Sequence, residues 1–255
     1  MLEEPYRWVE AIRNRRDYLE DQLRGASPVV ATRYRDGVLL LTTTPGPRKV
    51  FEVYNEIAFA AIGHPADIEK LRKAVIDIAH LEGFNLSAND VNLQRLVSFG
   101  IGPLVKGAFD EIFRSPFLAR VLLAELDPSS GDDVFYTIDA DGSFVRAGHV
   151  AAVGSEESVA AIAEALLDHT PESSLDDALK SALHAWACGR MASEREEGED
   201  SPKVEQVTAF LERTLTDLNV EAAVLDRKVP TKSKFRLLGS DDLLSVLNVH
   251  GTSQS

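Results

Sequence analysis

Apolar residues recur with two different periods along this chain, and the places where the period changes outline its elements. Pro5 to Gln22 carries Tyr6, Trp8, Val9, Ile12 and Leu19 loosely on one face among many charges, which predicts an amphipathic helix lying on a surface. Val29 to Tyr34 and Val38 to Thr42 flank Arg35-Asp36-Gly37, and the Asp-Gly dipeptide predicts a hairpin between antiparallel strands. A third strand starts with Lys49 and a buried fourth runs from Ile57 to Gly63. Ile68, Leu71, Val75 and Ile78 then step by three and four residues, the period of a core helix, with Gly83 as its expected C-terminal cap. Ser87 to Asp90 has the form of a capping box and predicts the start of a second helix, which Gly100-Ile-Gly-Pro103 should break or kink before it resumes from Leu104 to Phe113.

The middle of the chain returns to strand spacing. Phe117 to Leu126, Val134 to Ile138, Ser143 to Arg146 and Val150 to Val153 predict an antiparallel meander with a turn at Asp141-Gly142. Ser155 opens a helix bearing Val159, Ile162 and Leu166, and Ser174 caps another bearing Leu179, Leu183 and Trp186. An acidic stretch at about 193–202 reads as a solvated loop within one fold. A helix at Val204 to Leu215, strands at Val220 to Leu225 and Phe235 to Leu238, and a short helix at Asp241 to Leu247 complete the pattern, with a disordered tail over 249–255. The order of elements predicts an α+β fold: a four-layer αββα sandwich of two antiparallel sheets flanked by helices, with an extra N-terminal helix. Residues 1–25 form its N-terminal segment and 26–248 its main domain.

Charge and chemistry narrow the functional classes. The 41 acidic against 27 basic residues give a net charge of −14, which argues against nucleic-acid or anionic-membrane partners. Cys188 is the single cysteine, so no internal disulfide forms and the cytoplasm is the expected compartment. The N-terminus lacks the pattern of a secretory signal, and no apolar run approaches a membrane span. His64, His80, His149, His169, His184 and His250 show no paired ligand spacing, so neither a metal nor a cofactor is expected. Thr42 to Thr44 reads as strand propensity, and Gly100-x-Gly102 lacks the third glycine of a dinucleotide loop.

Several stretches, taken in order, resemble bacterial, actinobacterial-type 20S proteasome α subunits of the Ntn-hydrolase superfamily. They are Pro5-Tyr6 with its Arg-rich helix, Val38-Leu39-Leu40 with Lys49-Val50-Phe51, Ile57 to Gly63, Leu122 to Asp127, Phe135 to Ile138 with Asp141-Gly142-Ser143, Val150 to Gly154, Val220 to Asp226, and Phe235 to Leu238. The resemblance implies a non-catalytic subunit of a threonine endopeptidase complex. Such a subunit forms a homo-heptameric ring, stacks on proteasome β subunits, and controls which protein substrates reach the degradation chamber. A gate is implied at Met1 to Arg7, with Tyr6 and Arg7 as its candidate residues. Docking of a regulatory AAA-type ATPase tail is implied at Lys49, with Gly25 and Arg24 beside it.

An active β-type subunit instead uses a freed N-terminal threonine as nucleophile and base. Ser27 holds the matching position here, followed by Pro28, and Thr43 stands where the acid is expected. Two alternatives remain: a diverged self-compartmentalising hydrolase that uses Ser27 after processing, and an α-like ring scaffold without a β partner. Two departures from the family pattern are the Gly100 to Pro103 insertion and His64, where bacterial relatives often carry lysine.

Overall fold

The computed structural model describes residues 5–87, 90–111, 113–127, 131–195, 204–215 and 218–243. Two antiparallel five-stranded sheets lie face to face, with helices on both outer faces. One sheet has the order β10-β9-β2-β1-β8, built from β1 (Val29–Tyr34), β2 (Gly37–Thr44), β8 (Val150–Val153), β9 (Asn219–Asp226) and β10 (Phe235–Leu237). The other has the order β3-β4-β5-β6-β7, from β3 (Val50–Tyr54), β4 (Ile57–Gly63), β5 (Ala119–Glu125), β6 (Val134–Ile138) and β7 (Phe144–Ala147).

Strand alternation sorts the core into three layers. On β2, Leu39 and Leu41 face α6 (Leu175–Glu194) and α7 (Val204–Thr214), while Val38 and Leu40 face the other sheet. On β4, Ile57, Phe59 and Ala61 face α2 (Pro65–Asn85), while Ala58, Ala60 and Ile62 turn inward. Every residue of β2 is buried, as expected of a central strand covered on both faces. The helix α5 (Glu156–Ala165), capped by Ser155 as its sequence predicts, packs on α6. The N-terminal helix α1 (Pro5–Leu23) closes one end of the inter-sheet layer through Leu19 and Leu23. Leu23 lies one residue beyond the expected end of that helix and is fully buried.

The structure departs from the sequence reading on the second sheet's outer face. Gly83 does not cap α2, which runs on to Asn85. A Cβ at Gly83 would meet the Tyr54 hydroxyl at 2.4 Å, so this glycine serves close packing instead of chain reversal. Ser87 bonds Asp90 through its side chain at 2.7 Å, yet the next helix starts later. Asn92 accepts from the Arg95 N–H at 3.1 Å and opens α3 (Leu93–Arg95). Gly100 and Pro103 do not break the chain's helical path. It passes through a π-helical turn, Leu96–Ile101, into α4 (Gly102–Asp110), with the Gly102 N–H reaching back to the Val97 carbonyl. Such a turn absorbs an inserted residue without ending a helix. The expected helix at 241–247 begins at residue 240, and its part beyond 243 lies outside the described residues.

Candidate functional site

A cavity of about 580 Å³ opens at one end of the sandwich, where β1 begins, β2 ends and β3 begins. Its walls include Gly25 to Ser27, the Thr44 to Lys49 turn, Phe51, Ile68, Arg190 and Leu218. Gly63 is a hinge of the wall with φ +123°, and a Cβ there would sit 2.1 Å from the Leu118 carbonyl oxygen. The backbone can make this turn into α2 only with glycine. His64 follows it as the N-cap of α2, accepting from the Ala66 N–H at 3.3 Å. That local role explains how a histidine fits where a lysine was expected.

Lys49 is half-buried at the cavity, and its ammonium donates to the Ser27 carbonyl at 3.4 Å. Burial pushes the ammonium below its ordinary pKa, Glu221 opposes that shift, and Arg190 adds to it. Arg190, which the sequence did not single out, donates to the Gly25 carbonyl at 2.9 Å and pairs with Glu194 at 2.8 Å. It sits one turn beyond Trp186 on α6, a spacing that looks like any solvated helix end. Its bond to Gly25 satisfies a carbonyl at the C-terminal end of α1, where cations are favoured.

The structure thus brings Gly25, Ser27 and Lys49 to one cavity and leaves Arg24 out of its lining. Arg24 is exposed and its charge is felt at Glu157 on α5, whose carboxyl is lowered first by hydrogen bonds from its own backbone and Ser155. Tyr6 and Arg7 belong to the first turn of α1, but their side chains, like residues 1–4, lie outside the described part.

Ser27 Oγ accepts from the Trp186 indole N–H at 3.0 Å and lies 3.3 Å from the Thr43 hydroxyl and 3.5 Å from that of Thr42. Lys49 reaches the Ser27 carbonyl and not its hydroxyl. The amide nitrogen of Ser27 is bonded to Ala26, so in the chain as it stands no α-amine is available there as a base.

The side chains of other described histidines make local contacts. His80 meets the Tyr54 ring edge-on at 5.3 Å, His169 bonds the Arg33 carbonyl at 2.7 Å, and His184 lies 3.6 Å from Cys188 Sγ. Among the described residues no group of three or more metal-ligating side chains converges, and no helix is long and apolar enough to cross a membrane. His250 lies outside the described residues.

The profile described as proteasome subunit matches residues 24–199, from the end of α1 to beyond α6. This chain belongs to the proteasome subunit family. Its similarity is to proteins named proteasome subunit alpha. That of Streptosporangium roseum is 30% identical over 90% of this chain and 80% of the relative. The subunit of Actinosynnema mirum is 28% identical over 91% and 82%, and that of Frankia alni 27% over 96% and 95%. The sandwich is accordingly the proteasome-type Ntn sandwich, and the cavity at Lys49 lies within the matched region.

Proposed function

We propose that this proteasome-family chain is a non-catalytic α-type subunit, working in the cytoplasm, whose Lys49 cavity receives the C-terminal carboxylate of a regulatory ATPase tail. The observation that carries this reading is the Lys49 ammonium itself. It is half-buried in a cavity that Phe51, Ile68 and Leu218 also line, and among the described residues it hydrogen-bonds a carbonyl and has no carboxylate within ion-pair distance. A partly desolvated cation of this kind gains from an incoming anion, and a peptide terminus supplies one together with side chains for Phe51, Ile68 and Leu218.

The same chain would form a homo-heptameric ring on a β ring and control the passage of protein substrates through residues 1–7. Exposed aromatic side chains on α1 and in the turn that follows α4 support an assembly: Trp8 is 48% exposed, Tyr18 54% and Phe113 97%. Proteolysis would belong to the β subunits, because the Ser27 hydroxyl is engaged by Trp186 and its amide nitrogen is acylated.

The deciding experiment compares a peptide copied from the ATPase C-terminus with its C-terminal amide. The free acid binds the assembled particle and stimulates peptide hydrolysis, the amide does not, and Lys49→Ala removes the difference. Equal stimulation by acid and amide, or an unaffected Lys49→Ala particle, rejects the docking role. Native mass spectrometry tests the ring, and a subunit shortened to Ser27 would favour the processed-hydrolase alternative.

A further inference from the structure

Three hydrogen bonds at the cavity converge on a residue that does not line it. Along β9, Val220, Ala222 and Val224 turn toward α6, whereas Ala223 and Leu225 turn toward the opposite sheet, which places Glu221 in the inward row. A carboxylate there points at β3, the edge strand of the second sheet. Edge strands present N–H groups without a strand partner. Glu221 takes the first two: Oε1 accepts from Val50 N–H at 2.9 Å and Lys49 N–H at 3.1 Å, and Oε2 accepts from Lys49 N–H at 3.0 Å. On its other side the Lys49 carbonyl accepts from the Ala61 N–H at 3.2 Å, so the Lys49 peptide units are held from both sheets.

We infer that Glu221 is the positioning residue of this cavity: it clamps the start of β3 so that the Lys49 side chain is aimed inward, and it sets a negative charge behind the ammonium. The inference rests on the docking function only for the identity of what the cavity receives.

The charges facing Lys49 come from every wall. Arg190 approaches from α6, Arg48 precedes it in the chain, and Glu69 stands on α2. Glu69 is engaged by Arg72 at 2.8 Å and by Lys73 at 3.4 Å, which leaves Glu221 as the carboxylate whose field opposes burial and Arg190 at Lys49. Removing its charge while keeping an oxygen acceptor therefore separates the electrostatic task from the structural one. Glutamine keeps an acceptor for the β3 N–H groups without the charge, and aspartate keeps the charge on a shorter arm.

The test uses the full chain without any peptide. Reductive methylation with ¹³C-formaldehyde labels lysine amines, Lys49→Arg identifies the Lys49 signal, and its chemical shift is followed against pH. The midpoint for Lys49 moves to lower pH in Glu221→Gln, remains near the wild-type value in Glu221→Asp, and that of exposed Lys106 stays in place throughout. A wild-type midpoint in Glu221→Gln, or an equal displacement by both variants, overturns the proposal. Hydrogen exchange of the unaltered chain supplies a measurement that needs no variant to fold. The Lys49 and Val50 amides exchange slowly if Glu221 holds them, and exchange at the rate of a free strand edge is equally fatal. Because no tail peptide is present, either result stands apart from the outcome for carboxylate docking.

Discussion

Helices α1 and α6 are of similar length, 19 and 20 residues, and are attached to the same sandwich by different forces. Along α6, Ala178, Leu179, Ala182, Leu183, Ala185, Trp186 and Ala187 are all buried against β1, β2 and α5, with Trp186 packed on Phe210. Among the described side chains of α1 only Leu19 and Leu23 are buried, Ile12 packs partly buried beside them, and arginine pairs add polar attachments. Arg120, on the inward row of β5, binds Glu20, pairs with Asp139 at 2.9 Å and donates to the Gly154 carbonyl at 2.6 Å. Arg16 pairs with Asp141 at 2.8 Å, Arg15 bonds the Arg114 carbonyl, and Arg190 holds Gly25. Apolar packing resists any displacement, because every contact is lost together. Ionic links that keep contact with water, such as those of Arg16, exchange with it readily, so most of α1 outside Leu19 and Leu23 is held less firmly than α6.

The largest expected effect lies on the packed side of this contrast. Trp186→Ala removes the fully buried indole and its bond to Ser27, and should cost about 3–5 kcal/mol in urea unfolding. Trp186→Phe should keep most of that stability while leaving the Ser27 hydroxyl only its threonine neighbours. A loss below about 1 kcal/mol for the alanine variant would mean that α6 is not an apolar anchor.

Arg120→Met should come next, at about 2–3 kcal/mol, below the full cost of stranding a buried ion because Glu20 and Asp139 retain contact with water. Its signature is local. Hydrogen exchange should quicken along α1 and remain slow along α6, and adding Glu20→Gln should recover part of the loss. Uniform acceleration over both helices would show that α1 is not separately attached.

The smallest effect tests whether a polar attachment must favour the charged form. Glu125, on the outward row of β5, accepts the Leu93 N–H at 3.0 Å where α3 begins. Burial pushes its carboxyl up to about 6 despite that bond, with Asp127 and Glu56 adding to the rise and Arg146 opposing it. The folded state therefore holds the proton more tightly than the unfolded chain. The penalty for ionisation is fully present above about pH 6, shrinks as pH falls through that value, and is absent below the unfolded carboxyl range. Glu125→Gln keeps an acceptor for Leu93 and should stabilise the chain by about 1–2 kcal/mol at pH 8, with no gain at pH 4. A variant less stable than wild type at both pH values would show that ionised Glu125 supports α3.

The layered sandwich is legible in the chain because its signals are local and repeated. The Asp36-Gly37 turn, the strand runs and the helical spacing of Ile68, Leu71 and Val75 each state a period that burial on one or both faces enforces. Lys49, Gly25 and Ser27 can be picked out as candidates from the chain, and the fold brings all three to one cavity. Arg190 and Glu221 are not. Each looks like an ordinary charge near the end of α6 or the start of β9, and only the fold brings Arg190 to Gly25 and Glu221 to the edge of β3.

The N-terminal helix shows the same division. Its residue pattern marks an amphipathic segment at a surface, whereas the arginine links that hold it depend on Arg120, Asp139 and Asp141, about a hundred residues or more away. The π-helical turn at Leu96–Ile101 is equally hidden, since glycine and proline announce a disturbance without saying whether packing will absorb it. Element type follows from the spacing of apolar residues, which each segment carries within itself. Placement of charge follows from which backbone ends and edges the folded layers bring together, and no single segment carries that information.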